Sequence, residues 1–291
     1  MRIARLKLVF AAALAVAGLT SAVAVGAGAP SPIQQAAQKS ATAASVKFDF
    51  SLSISGGGSS IPGGKLSLGG TGAVDSRHKA ADFKLDLSTL APLLAGVTNG
   101  TQVPKSIELI AVHNALYLNF PALAKQLKAP GKSWVKFDLS KLPKSATGGV
   151  NPSAASSVSP QQALAALQGA LSIHKVGSDA HGTHYHGSLN LQALMKLVPK
   201  AQQASMKASL TKAGITHLPF DAWIGKGGYL SKFVTSIAVK ATAGQPAVKV
   251  GFAINLHDYN SPVHVSAPPA NQTVDGSSLL SSLGGLTGGG K

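Results

Sequence analysis

The chain has 291 residues, and its 26 lysines and arginines against 10 aspartates and glutamates give a formal charge of +16. It has no cysteine, which excludes disulfides, thiolate metal sites, a cysteine nucleophile and lipidation on a lipobox cysteine. Because aromatic residues make up only 5% and the basic residues do not form runs, nucleic-acid binding is not predicted, and the charge instead favours an anionic membrane or cell-wall surface.

Residues 1–29 are predicted to be a secretory signal peptide. A basic start, Arg2 to Lys7, precedes an apolar segment, Leu8 to Leu19, and Ala22-Val23-Ala24 is typical of a signal-peptidase site. With the next two polar residues included, the apolar segment reaches about 20 residues, so a retained membrane anchor is the alternative. Both interpretations place the protein outside the cytoplasmic membrane, secreted or in the cell envelope.

The first half of the chain predicts a β-meander. Residues 30–45 are expected to form a linker or a short helix. Val46 to Ile54 then alternates apolar and polar residues, as a strand with one buried face does. Further strands are predicted at Leu66–Leu68, Phe83–Leu87, Ile107–Val112, Leu116–Phe120 and Trp134–Leu139. His113-Asn114, between two of these strands, indicates a hairpin turn.

Helices are predicted to interrupt the strands at a few places. Short helices are expected at Leu87–Ala95 and from Asn119-Phe120-Pro121 through Leu127. A helical pair is expected at residues 191–213. The clearest helix start is Ser159-Pro160, where serine caps the helix and proline occupies its first turn. Leu164, Leu167 and Leu171 then fall on one helical face.

The second half returns to strands, at the histidine segment 182–187 and at Pro219–Ile224, Tyr229–Val234 and Val248–Leu256. Strands, then helices, then strands with hairpin-length connections predict an α+β domain over residues 46–275. We expect a single, strongly curved antiparallel sheet of about 10 or 11 strands with helices covering its concave face. Residues 276–291, rich in glycine and serine, are predicted to be a disordered tail.

A wide, curved sheet has a concave face that must be filled or covered. Helices built on leucine and alanine pack loosely there, which favours an apolar cavity for a ligand. An ordinary filled core uses the same residue types and is the alternative. The candidate lining residues are Phe48, Phe50, Leu52, Leu68, Phe83, Leu85, Leu116, Leu118, Leu164, Leu167, Leu171, Val250, Phe252 and Ile254.

Three histidines, His181, His184 and His186, form a cluster that resembles a metal site. In a strand the last two would lie on one face about 7 Å apart. A zinc or copper site also needs a third fixed ligand and supporting carboxylates, and the sequence offers only Asp179 nearby. The favoured interpretation is the solvated polar face of a strand, so no metal or other cofactor is predicted.

No enzymatic motif was found. The chain has one glutamate, Glu108, and no Gly-x-Ser-x-Gly elbow, so acid/base carboxylate pairs and a serine hydrolase are not indicated. The glycine runs at residues 56–58 and 63–64 are not followed by the lysine of a phosphate loop. We therefore predict a protein that is not an enzyme.

Several short segments of the sequence, taken in order, resemble those of a known protein family. They are Trp134–Asp138, Gly182–Gly187, Pro219–Ile224, Gly228–Phe233, Leu256–Val263 and Ala267-Pro268-Pro269. Their order and spacing resemble the actinobacterial LppX/LprA/LprF/LprG lipoproteins, which share the LolA and LolB lipoprotein-carrier fold. The resemblance covers about residues 46–275.

This resemblance implies a half-barrel with helices in its mouth and an apolar cavity. It implies an exported, non-enzymatic lipid-binding or lipid-transfer protein that holds the acyl chains of a lipid or lipoglycan, and we expect a monomer. The alternative is an envelope sensor or interaction module on the same scaffold, binding a protein or an anionic cell-wall polymer. The missing lipobox cysteine departs from the family: the protein is either released or held by its signal segment.

Overall fold

The computed structural model describes residues 30–56, 64–90, 104–141, 170–190, 214–239 and 246–277, and the separate positions 167, 195, 203–204, 207–208, 210–211 and 241. The predicted signal peptide, most of the helices expected between Ser159 and Ala213, and the tail after Ser277 lie outside these residues. Among the helices within them, none is long and apolar enough to cross a membrane.

The described residues form one twelve-stranded sheet and two short α-helices. The strands are β1 (Ser45–Gly56), β2 (Lys65–Asp75), β3 (Ala80–Asp86), β4 (Ser106–Val112), β5 (Ala115–Asn119), β6 (Trp134–Asp138), β7 (Ala170–Asp179), β8 (Gly182–Asn190), β9 (His217–Ile224), β10 (Leu230–Val239), β11 (Val248–His257) and β12 (Thr273–Asp275). The helices are α1 (Pro32–Ala41) and α2 (Pro121–Gln126). Single 3₁₀ turns occur at Leu139–Lys141, Lys226–Gly228 and Ala270–Gln272.

The sheet order is β12-β6-β5-β4-β3-β2-β1-β11-β10-β9-β8-β7. Its pairs are antiparallel except for β12, which pairs parallel with β6, so the sheet is mixed and not purely antiparallel as predicted. The two halves of the chain meet where β1 pairs with β11. The predicted hairpin between β4 and β5 is confirmed: His113 and Asn114 have φ values of 51° and 59°, as a tight two-residue turn requires.

Two strands, β7 and β12, were not predicted. Leu171 was expected on a helical face with Leu164 and Leu167, and this was wrong, because Leu171 lies in β7 opposite Ser188 of β8. Irregular pairing at two points of β7 breaks the two-residue period by which a strand is recognised.

Residues 30–45 contain a helix that belongs to the same core as the sheet. Ser31 caps α1 in a capping box: its hydroxyl accepts from the Gln34 amide, while the Gln34 side chain accepts from the Ser31 amide. Ile33, Ala36 and Ala37 are buried and pack into the main apolar cluster of the sheet. Most of this segment is therefore a helix packed on the sheet.

The segment after β11 fastens α1 to the sheet. The Tyr259 hydroxyl donates to the Leu230 carbonyl oxygen at 2.8 Å, and the Leu230 amide donates to the Ser40 hydroxyl of α1 at 2.9 Å. Asn260, at a φ of 59°, accepts from the Ala44 amide at 2.8 Å. Tyr259 and Asn260 thus have a structural role, because they fix the end of α1 and the start of β1.

Candidate functional site

One face of the sheet is apolar across nearly its whole width. Side chains directly opposite each other on paired strands point to the same face, so the strand registers show which residues share it. One row crosses from β1 to β12 through Phe48, Gly72, Phe83, Leu109, Leu118, Val135 and Val274. A second row crosses from β1 to β8 through Phe50, Ile254, Phe233, Ala222 and Tyr185. We call this surface the apolar face.

The strand residues predicted to line the cavity all lie on the apolar face. They are Phe48, Phe50, Leu52, Leu68, Phe83, Leu85, Leu116, Leu118, Val250, Phe252 and Ile254. Of these, Phe48 and Ile254 are buried, with 3% and 8% of their surface exposed, and the others are half-buried. The apolar face therefore keeps accessible hydrocarbon surface in the middle of the sheet.

Of the three helical candidates, only Leu167 is found with the apolar face. Leu167 is buried and packs in the main cluster. Leu171 is 44% exposed in β7 and does not contribute, and Leu164 lies outside the described residues. The sequence reasoning missed Leu109 and Phe233, which the apolar alternation of β4 and the apolar content of β10 could have indicated.

Glycines of β2 let phenylalanine rings lie low against the apolar face. A Cβ placed on Gly72 would come within 2.5 Å of the Phe48 ring, and one on Gly70 within 2.7 Å of the Phe50 ring. The Phe48 ring centroid lies 5.6 Å from that of Phe83 and 6.4 Å from that of Phe50. These three rings can pack close to the backbone of the sheet, because the glycines of β2 place no side chain between them. We call Phe48, Phe50 and Phe83 the aromatic floor.

Over β8 to β10 the opposite face of the sheet is polar and carries the histidine cluster, whereas over β3 to β6 it holds a second, smaller apolar cluster that includes Ala80, Tyr117 and Trp134. His184 Nε2 and His186 Nδ1 lie 2.9 Å and 3.1 Å from the same Asp221 oxygen, Oδ1. His181 lies apart from them, with its Nε2 3.3 Å from the Lys232 ammonium. Within the described residues, no group of three or more histidine, aspartate or glutamate side chains could hold a metal ion.

Trp223 lies within this polar face and is only 8% exposed. Its ring stacks on His184 with centroids 4.2 Å apart, and the Lys232 ammonium lies 4.9 Å from its centroid. Its indole N–H donates to Asp179 Oδ2 at 2.8 Å. Both strand neighbours of Trp223 thus contact it, so the ring holds the polar face together and offers little surface to a ligand.

No protein-family model matches the chain. The chain is 30% identical over 171 residues to the uncharacterized 31.2 kDa protein in the rplA-rplJ intergenic region of Streptomyces griseus, covering 54% of this chain and 53% of that protein. The alignment therefore spans about half the length of that relative.

Among solved structures, similarity is found to the Pseudomonas aeruginosa MucA/MucB complex, at 12% identity and a TM-score of 0.26 over 81% of this chain and 59% of the other. A bifunctional dehydratase-cyclase domain from ambruticin biosynthesis matches at 15% identity and a TM-score of 0.15 over 77% and 78%.

Proposed function

We propose that the protein is an exported, non-enzymatic lipid-binding protein that holds acyl chains against the apolar face. In this proposal the sheet curves into a half-barrel with the apolar face on its concave side. The observation that carries the proposal is the combination of a continuous apolar face with half-buried side chains at its centre, such as Leu52, Leu68 and Phe252. A fully packed core would leave such side chains without accessible surface.

Acyl chains suit this face in chemistry. Each buried methylene contributes about 0.8 kcal/mol, so a chain of ordinary length gains several kcal/mol without any polar contact. The aromatic floor of Phe48, Phe50 and Phe83 adds polarisable surface that is free of hydrogen-bonding groups. Specificity for a lipid or lipoglycan headgroup would then come from groups outside the apolar face.

The alternative is an interaction module on the same scaffold that binds an anionic cell-wall polymer. One observation favours it: lysines of several strands lie on the polar face, among them Lys84 and Lys249, both exposed. This alternative requires a filled apolar face, whereas lipid binding requires an accessible one. A single pair of variants distinguishes them.

Leu52→Trp and Ser51→Trp place the same large side chain on opposite faces of β1. Leu52 lies on the apolar face between Phe252 and Leu68, while Ser51 is exposed on the polar face. We expect Leu52→Trp to weaken binding of a fluorescent fatty acid about tenfold or more, because the indole fills the space that an acyl chain would occupy. Ser51→Trp should leave the affinity unchanged. No saturable binding by the unmodified protein, or equal loss in both variants, would contradict the proposal.

A further inference from the structure

A pocket lies away from the apolar face. It has a volume of about 410 Å³, within the range of small-ligand sites, and is formed by the turn between β2 and β3 and the segment that follows β11. Its polar lining includes Asp75, Arg77, His78, Asn260 and His264. We call it the Arg77 pocket.

Hydrogen bonds fix the walls of the Arg77 pocket. Asp75 Oδ1 accepts from the amides of Arg77 and His78 at 3.0 Å and 3.2 Å, which sets the turn between β2 and β3. On the other wall, the Asn260 amide donates to the Ser45 carbonyl oxygen at 3.0 Å, and the Ser45 hydroxyl donates to the Ser261 carbonyl oxygen. The backbone around the pocket is therefore held in place before any ligand enters.

The one carboxylate of the pocket is already occupied. Asp75 is only 8% exposed, and its second oxygen, Oδ2, lies 2.6 Å from His78 Nδ1. Burial alone would raise the pKa of Asp75, but the hydrogen bonds from His78 and the turn amides outweigh it and lower the pKa. Asp75 therefore stays ionised at neutral pH, and its two oxygens are turned to the turn amides and to His78 instead of being free ligands in the pocket.

Two basic side chains in the pocket have no such partner. Within the described part of the chain, neither the Arg77 guanidinium nor the His264 ring makes a hydrogen bond or an ion pair. Arg77 is also the only arginine after Arg5. A guanidinium offers two parallel N–H groups that match two oxygens of a phosphate, which a lysine cannot do.

We propose that the Arg77 pocket binds a phosphate group, with Arg77 as a bidentate donor and His264 as a second donor. The pocket lies on the side of the sheet opposite the apolar face: Ala80 lines it and belongs to the second apolar cluster, whereas the next residue, Ala81, belongs to the main cluster of the apolar face. The phosphate can be free or part of a lipid headgroup. This site is separate from acyl-chain binding, so either proposal can fail without the other.

The test titrates the full chain by calorimetry at low ionic strength, with inorganic phosphate and with vesicles of phosphatidylglycerol or phosphatidylcholine. Arg77→Gln and Lys79→Gln each remove one positive charge from the same turn, but Lys79 does not line the pocket. We expect saturable phosphate binding that Arg77→Gln weakens about tenfold or more and Lys79→Gln leaves within about twofold. His264→Asn should weaken it as well.

The outcomes separate the two sources of phosphate. Binding of inorganic phosphate alone, sensitive to Arg77→Gln, identifies a free phosphate ligand. Additional binding of phosphatidylglycerol vesicles, with the same sensitivity and with phosphatidylcholine vesicles unbound, identifies a headgroup. The proposal is overturned if inorganic phosphate shows no saturable binding, or if Lys79→Gln weakens binding as much as Arg77→Gln. Thermal unfolding of each variant confirms that it is folded.

Discussion

At the scale of single residues, Asp221 shows how the polar face is held by electrostatics. One of its oxygens faces both His184 and His186, and its side chain is 38% exposed. Burial acts to raise the pKa of Asp221, but the hydrogen bonds from the two histidines, together with their charge, outweigh burial and lower the pKa. A carboxyl whose pKa is lower in the folded state stabilises the fold above its unfolded pKa, and this contribution is lost as the pH falls through its folded pKa.

Asp221→Asn should therefore lower stability at pH 7 and matter less at acid pH, as the pH falls through the folded pKa of the wild-type carboxyl, which lies below its ordinary value. Because the side chain is partly exposed, we expect a loss below about 1 kcal/mol in the free energy of unfolding. Urea unfolding at pH 7 and pH 3 measures it. Asp49→Asn, at a carboxylate that is 53% exposed and 3.5 Å from His257, is the control with a smaller effect. An equal loss from Asp221→Asn at both pH values would contradict this account.

Alanine substitutions at two adjacent glycines of β2, Gly70 and Gly69, test whether the phenylalanine rings of the aromatic floor pack closely against this strand. A Cβ on Gly70 would lie 2.6 Å from the Lys84 carbonyl oxygen and 2.7 Å from the Phe50 ring, and the backbone atom cannot move aside easily. A Cβ on Gly69 would meet only the Phe50 carbonyl oxygen at 3.7 Å, an ordinary contact. We expect Gly70→Ala to cost about 1–3 kcal/mol and Gly69→Ala to change stability by less than about 0.5 kcal/mol. Equal effects in chemical denaturation would mean that the rings do not lie against β2.

At the scale of elements, α1 is part of the folded unit. Ile33 is fully buried in the main cluster, and the end of the helix is fastened by Tyr259 and Asn260 through Leu230 and Ala44. The Tyr259 hydroxyl is buried, which raises its pKa far above the ordinary value, so it stays protonated and continues to donate to the Leu230 carbonyl oxygen.

Ile33→Ala should destabilise the protein by about 2–5 kcal/mol, because it opens a cavity between α1 and the sheet. Gln38→Ala, on the exposed side of the same helix, should change the free energy of unfolding by less than about 0.5 kcal/mol. Thermal and urea unfolding of both variants measure the difference. If both are neutral, α1 does not belong to the cooperative unit.

The sequence predicts the strands best where one face is buried and the other is solvated. The alternation from Val46 to Ile54 predicts β1, and the same pattern in Val248–Leu256 predicts its partner β11. β7 was missed because its bulges break the two-residue period and because Leu164, Leu167 and Leu171 have helical spacing. β12 was missed because three residues cannot show a period.

The residues of the candidate site could also be predicted best where a strand has one buried face and one solvated face. The strand positions of the apolar face could be predicted because the two-residue period alone assigns them to one side. The role of α1 in the core could not be predicted as readily, because its buried positions include only one large side chain, Ile33. The Arg77 pocket depends on β2, β3 and the segment after β11 meeting in space, which no local pattern encodes.

At the scale of the whole molecule, the sheet separates two kinds of surface. One side is the apolar face, with the aromatic floor and half-buried aliphatic side chains. The other carries lysines, histidines and paired carboxylates, together with a smaller apolar cluster around Tyr117 and Trp134. The chain is also strongly basic, at +16, which favours approach to an anionic membrane or wall. In our proposal, the polar side meets an anionic layer and the apolar face shelters acyl chains.

The most direct test of acyl-chain binding is to purify the protein from a bacterial envelope or culture fluid without detergent, extract it with organic solvent and identify the extract by mass spectrometry. Our account predicts lipid with acyl chains in near-stoichiometric amount, reduced in Leu52→Trp and retained in Ser51→Trp. Protein that carries no lipid, and that takes up none when mixed with extracted envelope lipids, would contradict it.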